Sequence, residues 1–130
     1  MSGTHTARTA RSLGSAWAPV LVWAGVIFAF SSLPSLGTDL GIWDLVLRKL
    51  AHLAEYAILG MLLLRAVRRP AVALALGGLY AVSDEVHQTF VEGRVGAVVD
   101  VAIDTLGALG GVLAWSRFVA RRPRRHRSLD

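Results

Sequence analysis

Cysteine is absent from this 130-residue chain, which excludes a disulfide framework, a thiolate nucleophile and any Cys-based metal centre. Charge is scarce as well. Asp, Glu, Lys and Arg make up 18% of residues, against roughly 25% in an ordinary soluble domain. No HxH or HExxH spacing occurs, so the usual helical metal signatures are missing. There is no internal repeat of the length that builds solenoids or propellers, about 20–50 residues.

What fills the chain instead is apolar: 54% of residues are hydrophobic and the mean hydropathy is +0.51. A globule of this size has too much surface to hide that excess, whereas a bilayer accepts it as solvent. The isoelectric point of about 11.0 invites a nucleic-acid reading. Against it, the basic residues lie at the chain ends and in one short turn, the distribution of a membrane protein. Nucleic acid is therefore not an expected partner, and the tail arginines read as topology signals and contacts to anionic lipid.

Residues 16–33 run without a charge, enough to span a hydrocarbon core of roughly 30 Å. The run is longer than a signal-peptide core and ends in Ser31-Ser32-Leu33-Pro34 without an A-x-A site, so it reads as a retained span. Three more apolar segments follow at about 46–66, 71–90 and 98–118. The expected fold is all-α, an integral membrane bundle of four transmembrane helices. Residues 1–15 read as a flexible basic tail, 16–119 as the membrane domain and 120–130 as a second basic tail. Pro34, Gly37 and Gly41 mark the first loop, Arg65, Arg68, Arg69 and Pro70 a tight basic turn, and Trp17, Trp23 and Trp43 interface anchors.

Four spans put the N-terminus, the 65–70 turn and the C-terminus on one side. That side holds every basic residue except Arg48, Lys49 and Arg94, while all acids except Asp130 belong to the other half. The positive-inside rule then makes both termini cytoplasmic, in a multi-pass plasma-membrane protein.

The informative residues are the charges inside the spans. Lys49, His52, Glu55 and Tyr56 lie in the outer turns of the second helix. Asp84 is 14 residues past Pro70, about 21 Å along the third helix, with Glu85, His87 and Gln88 beyond it. Asp100 and Asp104 open the fourth helix at matching depth. Each set lies on a stripe that continues into small residues: Lys49, His52, Tyr56 and Gly60; Gly77, Tyr80, Asp84, His87 and Gln88; Asp100, Asp104, Gly107 and Gly111. Stripes of this kind let membrane helices approach closely and are expected to face one another. Glu55 and Glu85 sit off centre and would meet a neighbouring helix or a second chain.

Ionisable groups inside a membrane are functional by default. His52, Asp84 and Glu85 are candidate acid–base residues, with His52 suited to proton transfer near neutrality. Lys49 and Arg94 would grip a phosphate or carboxylate, and Glu55, Tyr56, Gln88, Asp100 and Asp104 complete the binding set. Asp84, Glu85, Asp100 and Asp104 with His52 and His87 also offer oxygen and imidazole ligands for a divalent cation. The plainer alternative is a polar network that only holds helices together.

At these residues the sequence resembles the VanZ-like membrane proteins. The resemblance is carried by Ser31-Ser32-x-Pro34, Lys49-x-x-His52-x-x-Glu55-Tyr56 with Leu59-Gly60, Asp84-Glu85-x-x-Gln88 with Arg94, and Asp100 with Gly107 and Gly111. It covers roughly residues 16–118, departing at Asp104, where similar sequences often carry Asn. It implies a small bacterial cell-envelope protein, in a family whose name-giving member is linked to resistance to the glycopeptide teicoplanin. The functional expectation is an outer-leaflet site that binds or modifies an envelope lipid, a lipid-linked cell-wall precursor or a glycopeptide. The alternative is a non-catalytic accessory protein assembling with a membrane-protein partner or a second copy of itself. A carrier is disfavoured, because the cytoplasmic halves of the helices offer no polar path.

Overall fold

The computed structural model describes residues 3–34 and 41–122, with side chains from Leu13 onward. The loop position Gly37, the tail beyond 122 and the side chains of Arg8 and Arg11 lie outside these described residues. Among the described residues all regular structure is helical: α1 (Gly3–Ser31), α2 (Ile42–Val67), α3 (Pro70–Gln88) and α4 (Val98–Ala120). α1 starts well before residue 16, so the helix runs on through the segment read as a tail. α3 stops at Gln88, where the Thr89 N–H turns back to the Glu85 and Val86 carbonyls.

Among the described residues three helices are long and apolar enough to cross a membrane, through Leu13–Ser31, Ile42–Val67 and Val98–Ala120. α3 is the exception among the four expected spans. Its 19 residues rise about 28 Å, so its length is adequate. Asp84, Glu85, His87 and Gln88 dilute the hydropathy of its last turns.

The α2–α3 turn follows from local chemistry. Arg68 takes the left-handed conformation (φ 57°) and its N–H closes on the Leu64 carbonyl. Pro70 then opens α3, where a missing N–H costs nothing.

α2 is central, touching each of the other helices, and its most extensive contact is with α4. Glycines make that contact possible. A Cβ at Gly107 would lie 2.6 Å from the Leu53 carbonyl oxygen, and Cβ atoms at Gly60 and Gly111 would collide with the Ala108 and Ala57 carbonyls. The two backbones are therefore in direct contact, as in other small-residue membrane seams.

The outer surface is apolar, while the interior mixes an apolar core, including Ile27, Leu59, Leu63 and Val112, with a few polar groups. Leu21, Phe28, Leu79, Val86 and Leu106 point outward, while Asp84, Glu85, Gln88 and Asp104 are buried. Trp23 departs from its expected role as an interface anchor: its indole N–H donates to the Glu55 carbonyl at 2.9 Å and ties α1 to α2. Trp43 is exposed.

Candidate functional site

The polar stripes of α2, α3 and α4 do face one another, in matching turns. At the rim, Lys49 of α2 pairs with Asp100 of α4. One turn deeper, His52 Nδ1 lies 3.2 Å from Asp104 Oδ1. Deeper still, the Tyr56 hydroxyl donates to Asp84 Oδ2 of α3 at 3.2 Å. Below Tyr56 the stripe becomes the glycine seam at Gly60. One helical period on each element thus sets the order of rim, middle and floor.

Asp84 is held by three donors on a single oxygen. The Ser31 hydroxyl (2.8 Å), the Tyr56 hydroxyl and the Gln88 amide (3.4 Å) all address Oδ2. Gln88 also donates to the Ser31 hydroxyl. Asp84 Oδ1, also buried, has no hydrogen-bond partner, and neither has either oxygen of Asp104. His52 Nδ1 and Asp104 Oδ1 are within ion-pair distance without hydrogen-bond geometry. His52, Asp84 and Asp104 each offer a ligand atom, all within 4.8 Å of one another.

Glu85 is not part of that convergence. It accepts the Ala97 N–H at the start of α4, placing a carboxylate at the positive end of the helix dipole. Its geometry is that of a cap joining α3 to α4. Asp100 belongs to the rim pair with Lys49. Glu55 turns toward α1 and lines a side cavity with Ser31, His52, Arg48 and Arg94. His87 stacks on Phe28 (centroids 4.3 Å apart) with Nε2 3.5 Å from the Ser32 hydroxyl, so it packs on the end of α1.

Arg94 lies on the α3–α4 connection and reaches across to α1, donating to the carbonyls of Leu33 (3.0 Å) and Phe30 (3.4 Å). Both carbonyls lie around the C-terminal end of α1, where acceptors run short of intrahelical donors; that of Phe30 also takes the Leu33 N–H. Arg94 also lines a cavity of about 170 Å³ with Arg48, Lys49, His52, Gln88 and Asp104. Asp100 lines it too, so three cationic side chains and two carboxylates share this cavity, with Arg48 paired to Asp44 and Lys49 to Asp100.

Ser31 is the site residue that site reasoning from the sequence missed. The signal was present, since Ser31 and Ser32 are the polar pair ending an otherwise apolar run. Only the packing of α1 against α3 shows that Ser31 is the one turned inward, 2% exposed.

No curated protein and no solved structure matches the chain. The family model described as VanZ/LLP1 matches residues 7–120, which take in α2, α3 and α4, all of α1 except its first four residues, and every residue of the cluster. With three membrane-length apolar helices, the chain belongs to the VanZ/LLP1 family and is a membrane protein of it.

Proposed function

We propose that the chain crosses the plasma membrane four times with both termini cytoplasmic, and that its outer end binds the anionic headgroup of an envelope lipid or lipid-linked cell-wall component. The observation that carries this reading is the cavity lined by Arg48, Lys49 and Arg94, three cations against the two carboxylates of Asp100 and Asp104. Leu45, Val95 and Ile103 also line it, as suits a ligand whose head is charged and whose tail is not. Its volume of about 170 Å³ is below the roughly 300–1,000 Å³ typical of drug-sized ligands. That favours a phosphate or carboxylate group over a whole glycopeptide antibiotic. Any resistance effect would then act through the envelope rather than through capture of the drug.

Two features support α3 as the fourth span. It turns Val72, Leu79, Val82 and Val86 outward where lipid would be. Its acids point inward, the only orientation a membrane tolerates cheaply. The opposite end of the bundle gathers Arg65 and Arg68 beside Trp115 and Ser116, consistent with a cytoplasmic face.

A second reading has its own support. Glu85 capping α4, the Lys49–Asp100 pair and the glycine seam all hold helices together, as an accessory assembly protein would require. Native mass spectrometry separates the two. Detergent-purified wild type should bind phosphatidylglycerol and a polyprenyl phosphate at least tenfold more tightly than a zwitterionic lipid. Lys49→Ala should lose that preference while keeping its fold. Equal binding of all three lipids by the wild type would defeat the headgroup reading. A paired susceptibility test, teicoplanin against vancomycin at matched expression of wild type, His52→Ala and Glu85→Gln, then asks whether this member protects a sensitive host.

A further inference from the structure

We propose that His52, Asp84 and Asp104 form a binding site for one divalent transition-metal cation, of the zinc or manganese class, inside the bundle. The inference goes beyond headgroup binding and does not depend on it. Three ligand atoms converge within 4.8 Å, and the donor set of one imidazole and two carboxylates suits zinc and manganese and contains no soft ligand.

Convergence alone would be weak support. The second observation is that the ligating faces are unpartnered. The Asp104 side chain is 1% exposed, yet neither of its oxygens has a hydrogen-bond partner. A buried polar atom is almost always satisfied, and a carboxylate in a membrane interior with one imidazole beside it and no well-formed hydrogen bond is a costly case. Asp84 repeats the pattern on one oxygen, with Oδ1 bare while Ser31, Tyr56 and Gln88 all address Oδ2. Donors gathered on the far oxygen fix the carboxylate and direct the near one, as partners of metal-ligating carboxylates do.

The His52–Asp104 contact agrees. Nδ1 and Oδ1 stand 3.2 Å apart without a shared proton direction. Two ligands of one zinc, each roughly 2.0–2.2 Å from the metal, are about this far apart. Charge agrees as well. The nearest ammonium, Lys49, pairs with Asp100, so two carboxylates meet one imidazole, a deficit that a dication cancels. His52 and Asp104 also line the cavity shared by Arg48, Lys49 and Arg94, so a bound cation would border it and add its charge to an anion's partners.

The test uses the full-length protein purified in mild detergent without chelator or added lipid, with metal content read by inductively coupled plasma mass spectrometry. The expected result is about one zinc or manganese ion per chain. After stripping with EDTA, zinc or manganese should raise the unfolding temperature by on the order of 5–10 °C at saturating excess, and magnesium should do much less. Asp104→Asn should weaken binding at least 100-fold, whereas Glu92→Gln, which removes the same charge from the nearby loop, should bind like wild type. In metal-free buffer Asp104→Asn should unfold no lower than wild type, because it removes a buried charge that only one imidazole faces; an ordinary structural aspartate would give a large drop.

The proposal is overturned if stripped wild type shows no saturable response to zinc or manganese up to about 1 mM, a Kd equivalent to only 4.1 kcal/mol of binding. It is equally overturned if Asp104→Asn binds as wild type does. Should Asp104→Asn not fold, the wild-type titration alone decides. Because no lipid is added and none is read out, failure here leaves the headgroup reading standing, and lipid selectivity can fail while metal binding holds.

Discussion

Asp84 concentrates the logic of the site in one side chain. Its carboxylate is shared between three donors from three helices, Ser31, Tyr56 and Gln88, so it ties α1, α2 and α3 together at one atom. Removing a single donor should therefore be graded rather than catastrophic. Tyr56→Phe should cost about 1.5–3 kcal/mol, the range for a hydrogen bond to a charged group, measured by reversible unfolding in detergent. Ser31→Ala should cost no more, since Gln88 still addresses the same oxygen. A loss of all folded protein on Tyr56→Phe would show that the hydroxyl has a role beyond this bond. Residue types were legible from sequence at this scale, because an ionisable group in an apolar run is conspicuous. Partner choice was less so. Glu85 and Asp84 are neighbours in sequence, yet one caps α4 and the other faces the cluster, a difference set by the path of residues 89–97.

At the scale of elements, the periodic stripes were the most readable feature. Helical spacing placed Lys49, His52 and Tyr56 on one face, and their partners appear turn by turn on α4 and α3. The glycines below them were readable only as a tendency toward close approach; how close depends on tertiary packing. The α2–α4 seam gives a sharp expectation. Gly111→Ala and Gly60→Ala set a methyl against a backbone carbonyl, which cannot rotate away. Each should cost at least the roughly 1–3 kcal/mol of ordinary overpacking and lower the yield of folded protein. Gly110→Ala, with nothing within 4 Å of its would-be Cβ, should be neutral or stabilising by up to about 1 kcal/mol. Comparing the three by thermal unfolding and membrane abundance checks the seam directly. The start of α1 was not readable, because small polar residues such as Ser12, Gly14 and Ser15 give no apolar period to mark a helix.

For the whole molecule, the natural lack of cysteine becomes an experimental tool. Single cysteines at Val95 and at Arg69 lie at opposite ends of the bundle, one on the α3–α4 connection and one at the α2–α3 turn. A membrane-impermeant maleimide applied to intact cells should label Val95→Cys and spare Arg69→Cys until the membrane is opened. The reverse pattern would invert the proposed topology. Labelling of both would mean that α3 does not cross. Four spans were read from segment lengths and charge placement, and only α3, whose polar end serves the site, falls short of a plain apolar span.

The most extensive helix contact, between α2 and α4, joins elements that are not consecutive in the chain. During synthesis α2 enters the membrane with Lys49 and His52 on a face whose partners, Asp100 and Asp104, have yet to be made. Until α4 arrives, that face meets lipid, other helices or whatever insertion factor shelters polar residues. A chain truncated before Val98 should therefore be recognised as an orphan by membrane proteases and turned over far faster than the full chain. Supplying α4 as a separate polypeptide should restore it. The seam that positions the site thereby also serves as the molecule's own signal that assembly is complete.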